Sequence, residues 1–358
     1  MCESLCIYRA LCANMHQDWE SVMTSRKRFQ RSSAELVDVA IRHYEFGDTI
    51  DALASDRGVD QSTIRRWLTR ARKEGIIRTL VVSSLDDEER VRLRQDVRYK
   101  YELEEVITVQ GRADVLEASD DTGPKEAVVL SIAHAAARYL EDHLTNRDIL
   151  LIPWGRMANY IARQINAPRP LPGLMVVPME GVMGVEYDPS EANILASAIA
   201  SKFGGRSMLL PAPAVVDRKV GKLIANLPLV KRVTELYKKA TMAIVPLAPA
   251  DPESSTVVQM GLVSKETVEA LLARGAVGEI ASHWWFDARG EIVEQEQTHA
   301  IGLGLDGLSD MIDRRAKVIA VVGAGRERIP PLKVALINRL VNILVTDHVS
   351  AQILLTED

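Results

Sequence analysis

The feature that most constrains the fold is the alternation of short apolar runs with helical segments over residues 105–358. Runs such as 149–154 and 318–322 are too short to cross a membrane and have the length of buried strands. The predicted strands are Val106–Val109, Asp148–Pro153, Leu174–Pro178, Met242–Leu247, Val318–Val322 and Ile343–Val345. The predicted helices are Ala127–Leu144, Ala158–Ile165, Asn193–Phe203, Lys333–Asn338 and Val349–Leu355. Such alternation predicts an α/β domain with a doubly wound, mostly parallel sheet.

Residues 31–82 predict a different, N-terminal all-α arrangement. Apolar residues at helical spacing begin at Ala34 and stop at Gly47, and a second short helix covers 49–57. A tight turn leads into a third helix, with Asp60 as its N-cap and Gly75 at its end. A strand follows over residues 76–82. This order is typical of a helix-turn-helix or winged-helix DNA-binding domain.

The third helix concentrates positive charge in a chain that is acidic as a whole. The formal net charge of the 358 residues is -5, whereas residues 24–78 carry about +4. Ile64, Trp67, Leu68 and Ala71 fall on one face, with Trp67 as the predicted core anchor. The polar residues outside that face are predicted to contact DNA: Gln61, Ser62, Thr63, Arg65, Arg66 and Arg70. The alternative is an arginine-rich helix that only faces solvent.

Candidate ligand-binding residues follow four predicted strands, because ligands of parallel α/β sheets bind beyond the carboxyl ends of the strands. Gly155 and Arg156 combine close backbone approach, a helix amino end and a fixed charge, which suits a phosphate, although Gly155 also fits a simple strand-helix turn. Further candidates are Glu180, Gly181, Asp287 and the arginines of 323–328. Asp287 would accept hydrogen bonds from sugar hydroxyls, and an Asp-x-x-Gly β-turn is an equal alternative for it.

Cofactor and metal chemistry are not expected. The three cysteines all lie in the first dozen residues, and their spacing with His16 matches no common zinc pattern. Their odd number argues against a disulfide framework and fits a reducing, cytoplasmic compartment. The Gly323-Ala324-Gly325 turn lacks the third glycine of a dinucleotide site. Residues 1–30 are predicted to be a disordered extension, with Met23 as an alternative translation start.

Five blocks, in order, resemble the SorC-type sugar-binding transcriptional regulators of bacteria, also called SorC/DeoR. The first is V-D-Q-S-T-I-R-R-W-L-T-R-A-R-K-E-G-I-I-R at 59–78. The others are W-G-R (154–156), G-L-V-S-K-E-T-V-E-A-L-L-A-R-G-A-V-G-E-I (261–280), F-D-A-R-G (286–290) and the long segment 323–347 that begins G-A-G-R-E-R. The resemblance extends over nearly everything after residue 34, and the order of the blocks makes it specific.

The resemblance implies a helix-turn-helix domain over 31–82, a linker helix over 83–104, and an effector-binding and oligomerisation domain over 105–358. The larger domain would be similar to sugar-phosphate isomerases but would sense its ligand without converting it. The usual effector is a phosphorylated sugar or polyol, and members commonly form homotetramers on palindromic operator DNA. Operator DNA, the effector and further copies of the chain are therefore the expected partners, with no membrane.

The family's phosphate-binding loop aligns with Pro153–Met157. The acidic residue of the family's F-D-x-x-G motif aligns with Asp287. Arg328 stands where a phosphate-binding lysine is usual. Met157 replaces a threonine, so one hydroxyl donor is lost, and Arg328 keeps the charge with a different donor geometry. P-L-A-P at 246–249 replaces a glycine-rich strand end and predicts a pocket wall of different shape.

Three function classes remain open at this point, and one of them, a constitutive DNA-binding architectural protein, is disfavoured by the presence of a full pocket domain. The first is a DNA-binding regulator whose operator affinity is controlled by a small anionic effector, with Gly155, Arg156, Met157, Glu180, Gly181, Asp287 and Arg328 at its site. The alternative is a sugar-phosphate isomerase or deaminase fused to a DNA-binding domain. Catalysis would require an acid/base pair, for which Glu180 and Asp287 are the candidates, with His283 as a third. No nucleophile or metal set stands beside them in the sequence, which favours the regulator.

Overall fold

The computed structural model describes residues 34–44, 46–73, 76–77, 88–117, 123–184, 188–280, 284–294 and 298–357. The chain divides into two compact units, residues 1–82 and 83–358. The predicted N-terminal extension, Gly75, most of the strand predicted over 76–82, and His283 lie outside the described residues. No helix in the described ranges is long and apolar enough to cross a membrane.

Three helices form the described part of the smaller unit: α1 (34–44), α2 (Ile50–Arg57) and α3 (Gln61–Lys73). Thr49 caps α2, since its hydroxyl accepts a hydrogen bond from the amide of Ala52 at 3.1 Å. α2 ends at Gly58, whose φ of 63° lies in the left-handed region that glycine adopts without strain. Asp60 caps α3 by accepting from the amide of Thr63 at 2.7 Å. The predicted helix-turn-helix is confirmed.

The core of this unit is small. Its central apolar cluster contains the buried residues Val39, Leu53, Ala54, Ile64 and Leu68. Trp67 was predicted to be the core anchor of α3, and this is wrong, because Trp67 is only half-buried and packs at the edge of the cluster. Ile64, which is fully buried, occupies the central position. Three- and four-residue spacing places both residues on the same face of α3, and only the packing distinguishes the centre of that face from its edge.

The larger unit contains twelve strands and eleven α-helices in its described residues. The strands are β1 (Glu105–Val109), β2 (Ile149–Ile152), β3 (Met175–Pro178), β4 (Arg206–Ser207), β5 (Val215–Asp217), β6 (Met242–Val245), β7 (Leu247–Pro249), β8 (Ala276–Ile280), β9 (Trp284–Asp287), β10 (Thr298–Ala300), β11 (Lys317–Val321) and β12 (Ile343–Asp347). The helices are α4 (Glu88–Lys100), α5 (Gly123–His143), α6 (Arg156–Gln164), α7 (Ala192–Phe203), α8 (Arg218–Ala225), α9 (Pro228–Tyr237), α10 (Thr256–Gln259), α11 (Lys265–Ala273), α12 (Leu305–Asp313), α13 (Ile329–Ile337) and α14 (His348–Thr356).

Seven strands form one parallel sheet in the order β1-β12-β11-β6-β2-β3-β4. Successive side chains point to opposite faces, so Leu150 and Ile152 pack with α5, α6 and α7, whereas Leu151 packs with helices of the other layer. That second layer contains α4, α9, α12, α13 and α14. Apolar runs buried on both faces are the signature of a parallel sheet between two helical layers, which confirms the predicted doubly wound fold.

The sequence did not predict several elements of the larger unit. β7, β8 and β9 form a separate antiparallel sheet, and β5 pairs with β10. Helices α8, α9, α11 and α12 were also missed. β8 reads A-V-G-E-I, and its glycine and glutamate obscure the strand pattern. Trp285 on β9, which is 1% exposed, belongs to a third apolar cluster with Ala276 on β8 and Leu271 on α11.

α4, predicted as a linker helix, packs into the larger unit. Val97 is fully buried, and Tyr101 follows it into the core. The Tyr101 hydroxyl donates to the carbonyl of Leu354 at 2.7 Å, and Lys100 Nζ donates to the same oxygen at 2.9 Å. α4 is therefore tied to α14, near the end of the described chain.

The chain changes direction within the sheet between β2 and β6. From β2 it continues outward to β3 and β4, then returns to β6 and runs to β11 and β12 on the other side. The connections that leave the carboxyl ends of β2 and β6 consequently diverge. A crevice forms at such a point in open α/β sheets.

Candidate effector cavity and nucleic-acid interface

α3 presents the predicted nucleic-acid residues on one surface. Its buried residues Ile64, Leu68 and Ala71 recur every three or four positions, which forces the intervening charged residues outward. Gln61, Ser62, Arg65, Arg66 and Arg70 are exposed, and Thr63 is half-buried. The structure thus brings all six predicted residues together on a single helix.

The beginning of α3 is held by local hydrogen bonds. Asp60 Oδ1 accepts from the Ser62 hydroxyl at 2.5 Å and from the Thr63 amide at 2.7 Å. These bonds, that from Ser62 above all, lower the pKa of Asp60 below its ordinary value. Arg66 donates to the Thr63 hydroxyl at 3.3 Å, and Gln61 donates to Asp51. Side chains that read a base edge here must first exchange these internal partners.

A cavity of about 1100 Å³ lies at the carboxyl ends of β2, β6 and β11. This is the crevice expected where the chain changes direction within the sheet. Of the predicted effector residues, Gly155, Arg156, Met157 and Arg328 line it. The P-L-A-P segment, Pro246–Pro249, forms part of its wall. These four predicted residues come from two segments that are far apart in the sequence.

The loop before α6 is shaped for close approach to a ligand. Gly155 has a φ of 123°, which strains any other residue, and its amide donates to the carbonyl of Ser190 at 3.0 Å. α6 starts at Arg156, and within the described part of the chain no side-chain hydrogen bond caps its amino end. The amides of that first turn and the Arg156 guanidinium form a positive end that suits an anion. Met157, also on the wall, supplies no hydrogen-bond donor from its side chain.

Glu180 and Gly181 lie beneath this loop and do not line the cavity. Glu180 is fully buried and accepts a hydrogen bond from the backbone amide of Trp154. Burial raises the pKa of Glu180 well above its ordinary value. A Cβ atom on Gly181 would lie 2.3 Å from the carbonyl oxygen of Ala212, so this glycine permits close chain packing. Glu180 thus supports the loop from below, whereas Gly181 packs against the backbone of residues 212–213.

Asp287 also lies away from the cavity wall. Its carboxylate accepts from the amides of Arg289 at 2.8 Å and Glu291 at 3.0 Å, and the Gly290 amide donates to the Asp287 carbonyl at 2.9 Å. This is the β-turn that the sequence left open as an alternative. β9 belongs to the antiparallel sheet, so the rule for carboxyl ends of parallel strands does not apply to it.

Sequence reasoning missed two buried ionisable residues of the cavity wall. Glu279 on β8 is 3% exposed, and its Oε2 has no hydrogen-bond partner among the described residues. Burial raises the pKa of Glu279 to about 8, so the side chain is mostly protonated at neutral pH. Lys125, in the first turn of α5, is 2% exposed. An acid inside the apolar strand A-V-G-E-I was the signal available for Glu279.

The loop after β11 supplies the remaining charges. Ala324 has a φ of 60°, unusual for a residue other than glycine, and its amide donates to Asp347 Oδ2 at 2.8 Å. Asp347 also caps α14 by accepting from the Ser350 amide at 2.9 Å. Arg328, at the end of this loop, lies with its Nε 3.5 Å from Glu327 Oε1. Within the described ranges, no group of histidine, cysteine and acidic residues is arranged to hold a metal ion.

The larger unit matches a known protein family. Residues 86–356 match the model of a family described as "Putative sugar-binding domain". This match covers about three quarters of the chain and includes α4, the whole parallel sheet and every residue of the cavity wall.

Individual relatives are similar over most of their length. The uncharacterized transcriptional regulator YjhU of Escherichia coli is 25% identical over 343 residues, which cover 92% of this chain and 98% of the relative. The sorbitol operon regulator of Klebsiella pneumoniae is 24% identical and covers 89% and 97%. The crystal structure of full-length SorC from Klebsiella pneumoniae superposes with a TM-score of 0.67 at 24% identity, over 90% of this chain and 98% of that one.

Proposed function

The chain belongs to the SorC-type family of sugar-binding transcriptional regulators, and we propose that its affinity for operator DNA is set by a small anionic effector, a phosphorylated sugar or polyol. The observation that carries this proposal is the cavity at the carboxyl ends of β2, β6 and β11. It combines the uncapped amino end of α6 with the cationic side chains of Arg156, Arg328 and Lys125.

The anionic group of the effector binds in this proposal between the start of α6 and the loop after β11. Helix amides and guanidinium groups are the usual protein partners of phosphate. The polyol part lies along the Pro246–Pro249 wall, where Glu279 meets a hydroxyl group. Because Glu279 is largely uncharged at neutral pH, it donates a hydrogen bond without repelling the anion. Glu180 accepts a hydrogen bond from the Trp154 amide and so positions the loop before α6, where the anion binds. Gly181 allows close packing of the chain next to Glu180, and Asp287 orders the turn at the end of β9.

DNA contacts come from α3. Arg65, Arg66 and Arg70 neutralise phosphates, and Gln61, Ser62 and Thr63 enter the major groove and contact bases. Effector binding favours one arrangement of an assembled homotetramer, and the separation of its DNA-binding units changes with that arrangement. Because operator DNA lies in the cytoplasm of bacteria, the protein acts there in this proposal.

An isomerase or deaminase needs an acid/base pair beside its substrate. Glu180 and Asp287, the pair that the sequence offered, both lie off the cavity wall, and Glu180 is fully buried under the loop. The relatives are named as transcriptional regulators. We therefore favour a sensing role. Assays of a panel of sugar phosphates check this, since turnover that disappears in Asp287→Ala would contradict it.

The effector class is tested by thermal denaturation with phosphorylated sugars and polyols, each paired with its unphosphorylated form. A ligand at a hundred times its Kd stabilises the folded state by about 2.7 kcal/mol, so binders raise Tm measurably. We expect shifts with phosphorylated members only. Stabilisation by the neutral partner alone would contradict an anionic effector.

Operator binding is then followed by fluorescence anisotropy, with DNA selected on the purified protein. Compounds that stabilise the protein should change the operator Kd. A ligand that stabilises the protein and leaves operator affinity unchanged would contradict the proposed coupling between effector binding and DNA binding.

A further inference from the structure

Glu327 places a carboxylate among the cations of the cavity. Its Oε1 lies 3.3 Å from Lys125 Nζ and 3.5 Å from Arg328 Nε. The three residues belong to the first turn of α5 and to the loop after β11, and all three line the cavity. One carboxylate oxygen of the protein thus stands within ion-pair distance of two cationic groups.

Lys125 occupies an unfavourable position for a cation. Its side chain is 3% exposed, and desolvation penalises a buried ammonium group that lacks an anion beside it. It also lies in the first turn of α5, where the helix dipole is positive. Both effects require a nearby negative charge. Glu327 supplies that charge in the structure, and it comes from an exposed loop residue and not from the core.

The same carboxylate lies over the backbone of the loop. A Cβ atom on Gly325 would be 2.3 Å from Glu327 Oε1 and 2.6 Å from Oε2. Gly325 has an extended backbone, with φ of -179°, so its conformation does not require glycine. A side chain at this position would, however, displace the Glu327 carboxylate from the position that it takes here. An oxyanion therefore sits against a glycine backbone with a lysine and an arginine beside it, which are the surroundings that suit a bound phosphate.

We propose that Glu327 is a built-in anionic ligand, which occupies the anion-binding position of the cavity and is displaced when the effector binds. This inference rests on the proposed anionic effector and adds a selectivity mechanism to it. The Glu327 side chain is 45% exposed, so it has solvent to move into. Because an incoming anion must replace one negative charge, a phosphoryl group with nearly two charges gains attraction, whereas a carboxylate or chloride exchanges charge for charge.

Glu327→Gln tests the displacement, since it keeps the shape of the side chain and removes its charge. Inorganic phosphate is the probe, titrated into the full-length protein by isothermal calorimetry. Removing the competing charge beside the bound anion should tighten phosphate binding about tenfold. In the double variant Glu327→Gln/Arg328→Gln, the gain should disappear. Glu327→Ala provides a second test, and circular dichroism checks that each variant is folded.

Glu117→Gln is the matched control. Glu117 lines the same cavity and pairs with Arg326 at 3.4 Å, but its side chain is 77% exposed and does not lie between Lys125 and Arg328. Removing its charge should leave phosphate affinity within about twofold of the original, because exposed pairs are screened by solvent. An equal gain in phosphate affinity in Glu327→Gln and Glu117→Gln would mean that the overall electrostatic potential of the cavity sets this affinity. That result would overturn the inference.

The remaining outcomes separate this inference from the proposed function. If the unaltered protein binds phosphate and Glu327→Gln binds it equally or more weakly, Glu327 is not a competitor, and the anionic effector site stands. If neither protein binds phosphate at millimolar concentration, both the displacement and the anionic effector are wrong.

Discussion

The proposed DNA-binding surface on α3 and the proposed effector cavity both contain cationic side chains but arrange them differently. On α3 the arginines come from one contiguous segment and are exposed above a small apolar core. In the cavity, Lys125 and Arg328 come from distant segments and already face a carboxylate of the protein. Exposed charge acts on a polyanion at long range, whereas a partly buried charge that is paired with a carboxylate binds a ligand only by exchanging partners. The exposed arrangement on α3 favours rapid association with DNA, and the paired arrangement in the cavity favours discrimination between ligands.

The largest effect should come from the buried acid of the cavity. Glu279 has a folded pKa of about 8 against 4.5 for the free side chain, so the folded state holds its proton more tightly. Its contribution to the free energy of unfolding is fully present below pH 4.5 and falls as pH rises to 8, by at most about 5 kcal/mol. Urea denaturation of the original protein and of Glu279→Gln at pH 5.5 and 8.5 measures the difference.

Exposed Glu253, which pairs with Lys265 at 2.6 Å, is the control for that experiment. Glu253→Gln should leave the pH dependence of stability close to that of the original protein. The same pH dependence in Glu279→Gln as in the original protein would mean that Glu279 is solvated, and the contrast between a desolvated cavity and an exposed helix would fail.

Arg328→Ala should impair the cavity without affecting the DNA-binding surface on α3. Losing charge-assisted hydrogen bonds to the effector costs about 1.5–3 kcal/mol, equivalent to an effector affinity reduced roughly 10- to 100-fold. Operator binding without effector should be unchanged, because Arg328 and α3 lie in different units. Anisotropy titrations with and without effector measure both quantities. Loss of both together would mean that Arg328 holds the fold.

Arg66→Ala is the reciprocal variant. Removing one phosphate contact should weaken operator binding about tenfold and reduce the slope of log K against log salt by about 0.9. Arg218→Ala, which removes an exposed arginine of the larger unit, is the matched control and should change neither. Equal affinities for Arg66→Ala and the original protein at several salt concentrations would move the DNA contact to another surface.

The smallest effect concerns the loop after β11. Ala324 adopts a left-handed conformation that costs a non-glycine residue about 1 kcal/mol, and part of the gain from glycine is offset by the greater freedom of the unfolded chain. Ala324→Gly should therefore raise the free energy of unfolding by up to about 1 kcal/mol. Ala320→Gly, in the neighbouring strand, should lower it by about the same amount. Calorimetry that gives both changes the same sign would contradict strain at Ala324.

Helical periodicity was sufficient to predict α3, because the position of each residue on one helix follows from its spacing. Ile64, Leu68 and Ala71 are buried, and the arginines between them are exposed, as expected. The fold class followed from the same kind of local pattern. Periodicity could not rank Ile64 above Trp67, since both occupy the same face and only the shape of the small core decides which is central.

The cavity could be predicted only in part, because it is assembled from residues that are close in space and distant in sequence. Gly155 and Arg328 were found since each follows a strand of the parallel sheet. Asp287 follows an antiparallel strand, and Glu180 points beneath the loop, so the same rule does not apply to either. Lys125 begins a helix and Glu279 lies within a strand, where no local pattern indicates a cavity.

Asp347 gives the cavity loop a mechanical link to the start of the larger unit. It binds the Ala324 amide and caps α14, and the carbonyl of Leu354 near the end of α14 accepts hydrogen bonds from Lys100 and Tyr101. These two residues close α4, the first helix after residue 82. A displacement of the loop must therefore either break a buried carboxylate contact or pull on α14, and through it on the helix by which the chain enters this unit. The Asp347 side chain, which connects the cavity loop to α14, thus limits how much of a displacement in that loop is transmitted to α14.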